Sequence, residues 1–267
     1  MFCLWACLRL TSTLGWASTS EKPSTTPSRT CSLTPETVTA VVSGLYPSER
    51  SALARTPGVE VVQTPNDGHP ARQRLRDFQS VIEGWPDHTP VAYWDAGDVV
   101  FQGALGPLWD EVRTYPDHLH VASEIIPFDV STVARWWAET IEDPAERRHV
   151  VGLFMDHSIL NSGFAAGTVR AMMRYLKGAD KLLRSRSLRG STDWGDQTAM
   201  NLFCHSNPDA WREVSMAWNY CLVGLGPREF RMSDDGRIVR LDSETQPNVV
   251  HGNGQTLRQW DLQHLTL

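Results

Sequence analysis

Short apolar runs alternate along the chain with stretches whose apolar residues recur at helical spacing. Val38-Thr39-Ala40-Val41-Val42 and Val59-Glu60-Val61-Val62 are β-branched runs and read as strands. Residues 47–54 between them read as a short helix. Leu75, Phe78 and Ile82 fall at helical spacing over residues 71–83, with Arg72, Arg74 and Arg76 near the start. The apolar run from Val91 ends on Asp95, and Leu119-His120-Val121-Ala122 is a further strand. A helix is predicted over residues 131–140, and residues 157–164 read as a strand followed by a turn. Val169, Met172, Met173, Leu176, Leu182 and Leu183 share one face of an amphipathic helix over residues 168–183. A shorter helix is predicted over 196–204. Strands alternating with helices imply an α/β fold with a mainly parallel sheet covered on both faces.

Residues 11–35 break this pattern. They are rich in Ser, Thr and Pro, so the chain divides into a flexible or atypical lead-in, residues 1–35, and one α/β domain, residues 36–267. The 267 residues suffice for one large domain. A net charge of -6 argues against nucleic-acid binding driven by bulk charge. The five cysteines are odd in number and lack CxxC spacing, which fits reduced thiols in a cytoplasmic setting better than a zinc site or a disulfide scaffold. Residues 1–8 are apolar but short, a weak signal-like start, and no run reaches the ~20 apolar residues of a membrane span.

Four segments carry candidate chemistry beyond this pattern. Asp95-Ala96-Gly97-Asp98 places two carboxylates three residues apart at the end of a buried strand, where ligands of α/β sheets bind. Their repulsion calls for a cation. Oxygen ligands suit Mg²⁺ or Mn²⁺ that also holds phosphates. The competing reading is a solvated Asp/Gly turn. Asn161-Ser162-Gly163 is a polar turn in which Gly163 permits close backbone approach and Asn161 offers an amide to a hydroxyl. Ordinary capping chemistry explains it equally well. Asp193-Trp194-Gly195-Asp196-Gln197 puts acids at a helix start, a cap by default, with Asp196 and Gln197 directed into a cleft on the functional reading. Finally, His251-Gly252-Asn253-Gly254 delivers an imidazole into a Gly-containing turn that allows close approach to phosphate.

Asp95-x-x-Asp98, Asn161-Ser162-Gly163, Gly195-Asp196-Gln197 and His251-Gly252-Asn253-Gly254 occur in this order. The chain thereby resembles the GT-A fold glycosyltransferases, whose fold is Rossmann-like. It is most similar to the glycosyltransferase domain of procollagen lysyl hydroxylases and more distantly to glycogenin-like enzymes. The resemblance spans roughly residues 36–260. It implies that Asp95, Asp98 and His251 are Mn²⁺ ligands, with Mg²⁺ as the alternative ion. Glu124, Asn161, Gly163, Gln197 and Arg74 or Arg76 would lie about the donor, and Asp196 or Asp193 would face the reaction centre. Gly252, Asn253 and Gly254 would line the diphosphate. The implied activity is retaining hexosyl transfer from a nucleoside-diphosphate sugar, with a UDP-sugar as the expectation. The acceptor would be a hydroxyl of a glycan, protein or small molecule. Two departures stand out: nothing in residues 1–35 looks like the family's base-holding strand, and the acidic cluster before Asp196-Gln197 is reduced. A non-catalytic sugar-nucleotide or glycan-binding relative and a metal-dependent phosphohydrolase are the rival readings.

Overall fold

The computed structural model describes residues 3–10, 36–43, 51, 54–55, 59–64, 70–96, 99–185, 188, 195–223, 225 and 229–252. The first half supplies β1 (Cys3–Leu10), β2 (Glu36–Ser43), β3 (Val59–Gln63), α1 (Pro70–Ile82), β4 (Pro90–Ala96), β5 (Val99–Phe101), α2 (Gly106–Thr114) and β6 (Leu119–Val121). Two helices follow, α3 (Thr132–Glu139) and α4 (Pro144–Asp156), then β7 (Phe164–Thr168), α5 (Val169–Leu183) and α6 (Asp196–His205). Short strands close the described chain: β8 (Trp211–Glu213), β9 (Tyr220–Cys221), β10 (Phe230–Met232), β11 (Ile238–Arg240) and β12 (Val249–His251).

The protein is a mixed α/β structure. Its main sheet has seven strands in the order β3-β2-β1-β4-β7-β6-β8. The pairs β2–β3 and β6–β8 are parallel, whereas β1 and β7 are antiparallel to both of their neighbours. Five strands therefore share one direction, with β1 and β7 running against them. The mainly parallel character lies in strand direction more than in pairing. A three-stranded sheet, β5-β12-β9, and the β10–β11 pair sit beside it.

Three sequence expectations need correction. Residues 1–35 are not all lead-in, because Cys3–Leu10 lies between β2 and β4, with Trp5 opposite Asp95. Their short apolar run is strand-length, and pairing on both edges satisfies its backbone. The turn at Asn161–Gly163 precedes its strand instead of following it: β7 starts at Phe164, and before the turn Leu160 makes only an isolated bridge to Ser123. The helix α4 was not anticipated, since it buries only Val150 and Phe154 and so shows little apolar periodicity. Most of the short helix expected over 47–54 lies outside the described residues.

Ser131, Asp143 and Thr168 cap α3, α4 and α5 by accepting from the backbone N–H groups of Ala134, Ala145 and Ala171. Strand β4 is buried on both faces. Val91 and Tyr93 join Leu75, Phe78, Met172 and Leu176 in a core under α1 and α5. Ala92 and Trp94 join Leu108, Trp109 and Phe164 in a second core under α2. A strand covered on both sides reads as an unbroken apolar run, as this one does. Asp95 keeps the phase of Val91 and Tyr93 and so faces the α1 side. Among the described residues no helix is long and apolar enough to cross a membrane.

The helices α5 and α6 meet at Gly178. A Cβ there would lie 2.6 Å from Phe203 Cδ2, so only glycine lets α6 pack this closely. Gly178→Ala is expected to lower stability by about 1–3 kcal/mol through overpacking, despite alanine's better helix propensity. Denaturant unfolding of the variant checks this, and a gain in stability would show that the contact does not constrain the packing.

Candidate functional site

The site forms at the carboxyl end of β4. Asp95 is anchored by its N–H donating to the carbonyl of Gly163 at 2.9 Å. Arg74 reaches it from α1. Its Nη1 donates to Asp95 Oδ1 and, at 3.0 Å, to the carbonyl of Ser162, while its Nη2 donates to Asp196 Oδ2. The guanidinium is buried between the two carboxylates. Burial alone would lower its pKa, but Asp196 and Asp95 outweigh that effect and raise it, so the charge is held firmly. Ser162 Oγ donates to the same Asp196 oxygen at 3.3 Å. Of the two arginines expected near the donor, Arg74 is in the site. Arg76, two residues on and so on the other side of the helix, is exposed.

His251, at the end of β12, reaches the site from the far part of the sequence. Its Nε2 lies 3.8 Å from Asp95 Oδ2. Gly163 makes this approach possible: a Cβ there would strike His251 Cε1 and lie 2.8 Å from Asn161 Oδ1 and 3.0 Å from Asp95 Oδ2. On its other side, His251 Nδ1 is 3.8 Å from Cys221 Sγ, which also accepts from Asn219 Nδ2 at 3.7 Å. A thiol sulfur can donate to or accept from Nδ1, so this contact serves either imidazole tautomer. Burial pushes the Cys221 thiol up, keeping it protonated and inert as a nucleophile.

Behind this layer stands an amide–carboxyl network. Glu124 Oε1 accepts from Asn161 Nδ2 and from Gln197 Nε2, each at 2.9 Å. Asn161 Oδ1 accepts from Gly163 N at 2.9 Å and from Asn219 Nδ2 at 3.0 Å. Gln197 Oε1 accepts from Ser162 N at 3.4 Å. The Asn161 amide, expected to meet a substrate hydroxyl, donates to Glu124, and its carbonyl oxygen braces the turn at Gly163. Burial raises the Glu124 carboxyl above its ordinary range, although the Asn161 and Gln197 hydrogen bonds oppose this.

Asp95, Arg74, Glu124, Asn161, Gly163, Asp196, Gln197 and His251 therefore converge, and Gly252 continues buried from His251. Asp98, Asp193, Asn253 and Gly254 lie outside the described residues. Among the described residues, no group of three or more His, Cys, Asp or Glu side chains is arranged to hold a metal ion. Asn219 and Cys221 were not anticipated. Their place depends on β9 lying parallel to β12 with Cys221 opposite His251, and a two-residue strand leaves no sequence pattern.

No protein-family profile and no curated protein matches the chain. Solved structures resemble it. The apo form of mouse xyloside xylosyltransferase 1 is 14% identical, covering 81% of this chain and 83% of that one, with a TM-score of 0.48. The galactosyltransferase LgtC in complex with donor and acceptor sugar analogs is 12% identical over 79% of this chain and 74% of that one, with a TM-score of 0.49. The apo bifunctional glycosyltransferase WbbM is 15% identical over 77% of this chain and 37% of that one, with a TM-score of 0.45.

The geometry yields two expected outcomes. Arg74→Met leaves Asp95 and Asp196 facing each other without their cation. The expected cost is about 3 kcal/mol, the low end for a broken buried pair, because the Asp95 side chain keeps 23% exposure. Adding Asp196→Asn should recover part of this loss in denaturant unfolding; no recovery would disprove the shared-cation arrangement. Glu124→Gln tests the raised carboxyl. A carboxyl raised in the folded state stabilises below its unfolded value, near 4.5, and that contribution is lost as pH rises through the folded value. The melting temperature of the wild type relative to Glu124→Gln should therefore fall from pH 4 towards neutrality. A pH-independent difference would contradict this.

Proposed function

We propose that this chain is a GT-A type glycosyltransferase that moves a sugar from a nucleoside-diphosphate sugar to an acceptor hydroxyl. The observation that carries the reading is the approach of His251 Nε2 to 3.8 Å from Asp95 Oδ2 over Gly163, bringing together segments more than 150 residues apart. Every motif of the resemblance has at least one member at this strand end.

Asp95 and His251 are close enough to share a divalent ion. Two groups each about 2.1 Å from a shared ion can lie up to roughly 4.2 Å apart, and the Asp95–His251 spacing is within that reach. Asp95, Asp98 and His251 would hold Mn²⁺ or Mg²⁺, and Asp98 directly precedes Val99, the strand partner of His251. When bound, the ion neutralises charge on the diphosphate leaving group. Arg74 orients Asp95 and Asp196 by charge and keeps both carboxylates from drifting into solvent. Asp196, fixed at the first turn of α6, faces the reaction centre, with Asp193 assigned to the same region. Glu124, kept in place by Asn161 and Gln197, stands behind the donor sugar, and Gly252, Asn253 and Gly254 line the diphosphate. We assign a UDP-hexose donor and retention of configuration, in which the departing phosphate takes the acceptor's proton and no strong protein base is required.

Calorimetry with UDP tests this. Affinity for UDP should require Mn²⁺, and His251→Ala should weaken Mn²⁺ binding by ~10–100-fold. UDP affinity indifferent to the metal would leave the non-catalytic reading in its place. Nucleotide-sugar hydrolysis insensitive to every acceptor would favour a phosphohydrolase.

A further inference from the structure

The backbone sets the contact between Cys221 and His251. Cys221 on β9 lies opposite His251 on the parallel strand β12, and the Leu222 N–H donates to the His251 carbonyl at 2.9 Å. Both side chains are buried. The imidazole is held between two different groups. Cys221 Sγ lies 3.8 Å from Nδ1, and Asp95 Oδ2 lies 3.8 Å from Nε2. A neutral imidazole carries one proton, on one nitrogen or the other. In the metal-free protein Asp95 decides which. A lone pair on Nε2 would face a negative oxygen, whereas an N–H there faces it favourably. Nδ1 then carries the lone pair, and the Cys221 S–H donates to it. An ion held at Nε2 demands the opposite tautomer, because Nε2 must give its lone pair to the metal. The proton then sits on Nδ1, and the sulfur has to accept.

Few groups serve both states. A carboxylate or a backbone carbonyl only accepts and would hold the Nδ1–H tautomer alone. A thiol donates or accepts by turning about its Cβ–Sγ bond. Asn219 supports the turn. Its Nδ2 lies 3.7 Å from Sγ, and its Oδ1 is buried without a partner, so an S–H turned from His251 towards Asn219 has an acceptor to meet. The same Nδ2 donates to Asn161 Oδ1 at 3.0 Å, and Asn161 Nδ2 donates to Glu124. The thiol is thereby tied into the network behind the site.

Resting on the glycosyltransferase reading for the ion, we infer that Cys221 is a positioning residue whose thiol holds His251 in both states, donating to Nδ1 in the metal-free protein and accepting from Nδ1 when Nε2 binds the ion. The imidazole proton passes from Nε2 to Nδ1 and the thiol keeps its own, so no proton is gained or lost. A cation on Nε2 makes Nδ1–H the stronger donor, so the sulfur contributes more to the loaded state than to the free one.

Two measurements on the full chain test this. Nitrogen NMR of the histidines in the metal-free wild type should place the His251 proton on Nε2, and a proton on Nδ1 would overturn the inference. Calorimetry with Mn²⁺ in the presence of UDP reads the loaded state. Cys221→Val, close in shape but unable to hydrogen-bond, should weaken Mn²⁺ binding about tenfold. Cys221→Ser, whose hydroxyl also donates and accepts, should restore it. Unchanged affinity in Cys221→Val would overturn the inference. So would an equal loss in both variants, which reports packing alone. The NMR measurement needs no variant, so it decides even where Cys221→Val fails to fold. A wild type with the proton on Nε2 but no Mn²⁺-dependent UDP affinity would instead overturn the transferase reading.

Discussion

The buried guanidinium of Arg74 is the constraint on which the rest of the site depends. It joins a helix, a strand end and a second helix start through Asp95 and Asp196, and it takes the Ser162 carbonyl as well. Neither carboxylate could sit this close to the other in a weakly polar setting without a cation between them. Nor could the arginine be buried without its acids. The arrangement is therefore all-or-none: α1, β4, α6 and the Asn161–Gly163 turn hold a common position or none of them does. The Glu124 network reinforces this by tying the same turn to α6 through neutral hydrogen bonds, which do not depend on the charge balance.

In the proposed function a divalent ion shares Asp95 with Arg74. Because Arg74 already restrains Asp95 and Asp196, such an ion would meet carboxylates held in place, and less of its binding energy would go into ordering them.

Much of this was legible in the chain. The amphipathic period marked α1 and α5, and the apolar run marked β4 and its terminal acid. Arg74 was legible in principle, too: with Phe78 and Ile82 it forms an i, i+4, i+8 stripe, so it shares the buried phase, whereas Arg76 falls out of it. What stayed hidden was what short elements contribute. Strands β9 to β11 are two or three residues each, too brief for alternation to register, and Asn219 and Cys221 enter the site only through their pairing. Strand β1 was hidden differently, since its eight residues adjoin a Ser/Thr/Pro stretch whose composition dominates any reading of that region.

The register of β12 explains how so short a strand positions the His251 imidazole. Val249 belongs to the core containing Trp94 and Phe164, and Val250 belongs to a separate cluster with Tyr220, Leu222 and Phe230. The two valines are thus held on opposite faces by different cores. His251, in phase with Val249, must then follow the Trp94–Phe164 face to its edge, where Gly163 leaves it room. A slip of one residue would turn His251 into the second cluster and move both valines off their cores, so each apolar contact also opposes misplacing the imidazole. The precision of the site is in this way inherited from ordinary apolar packing on either side of a three-residue strand.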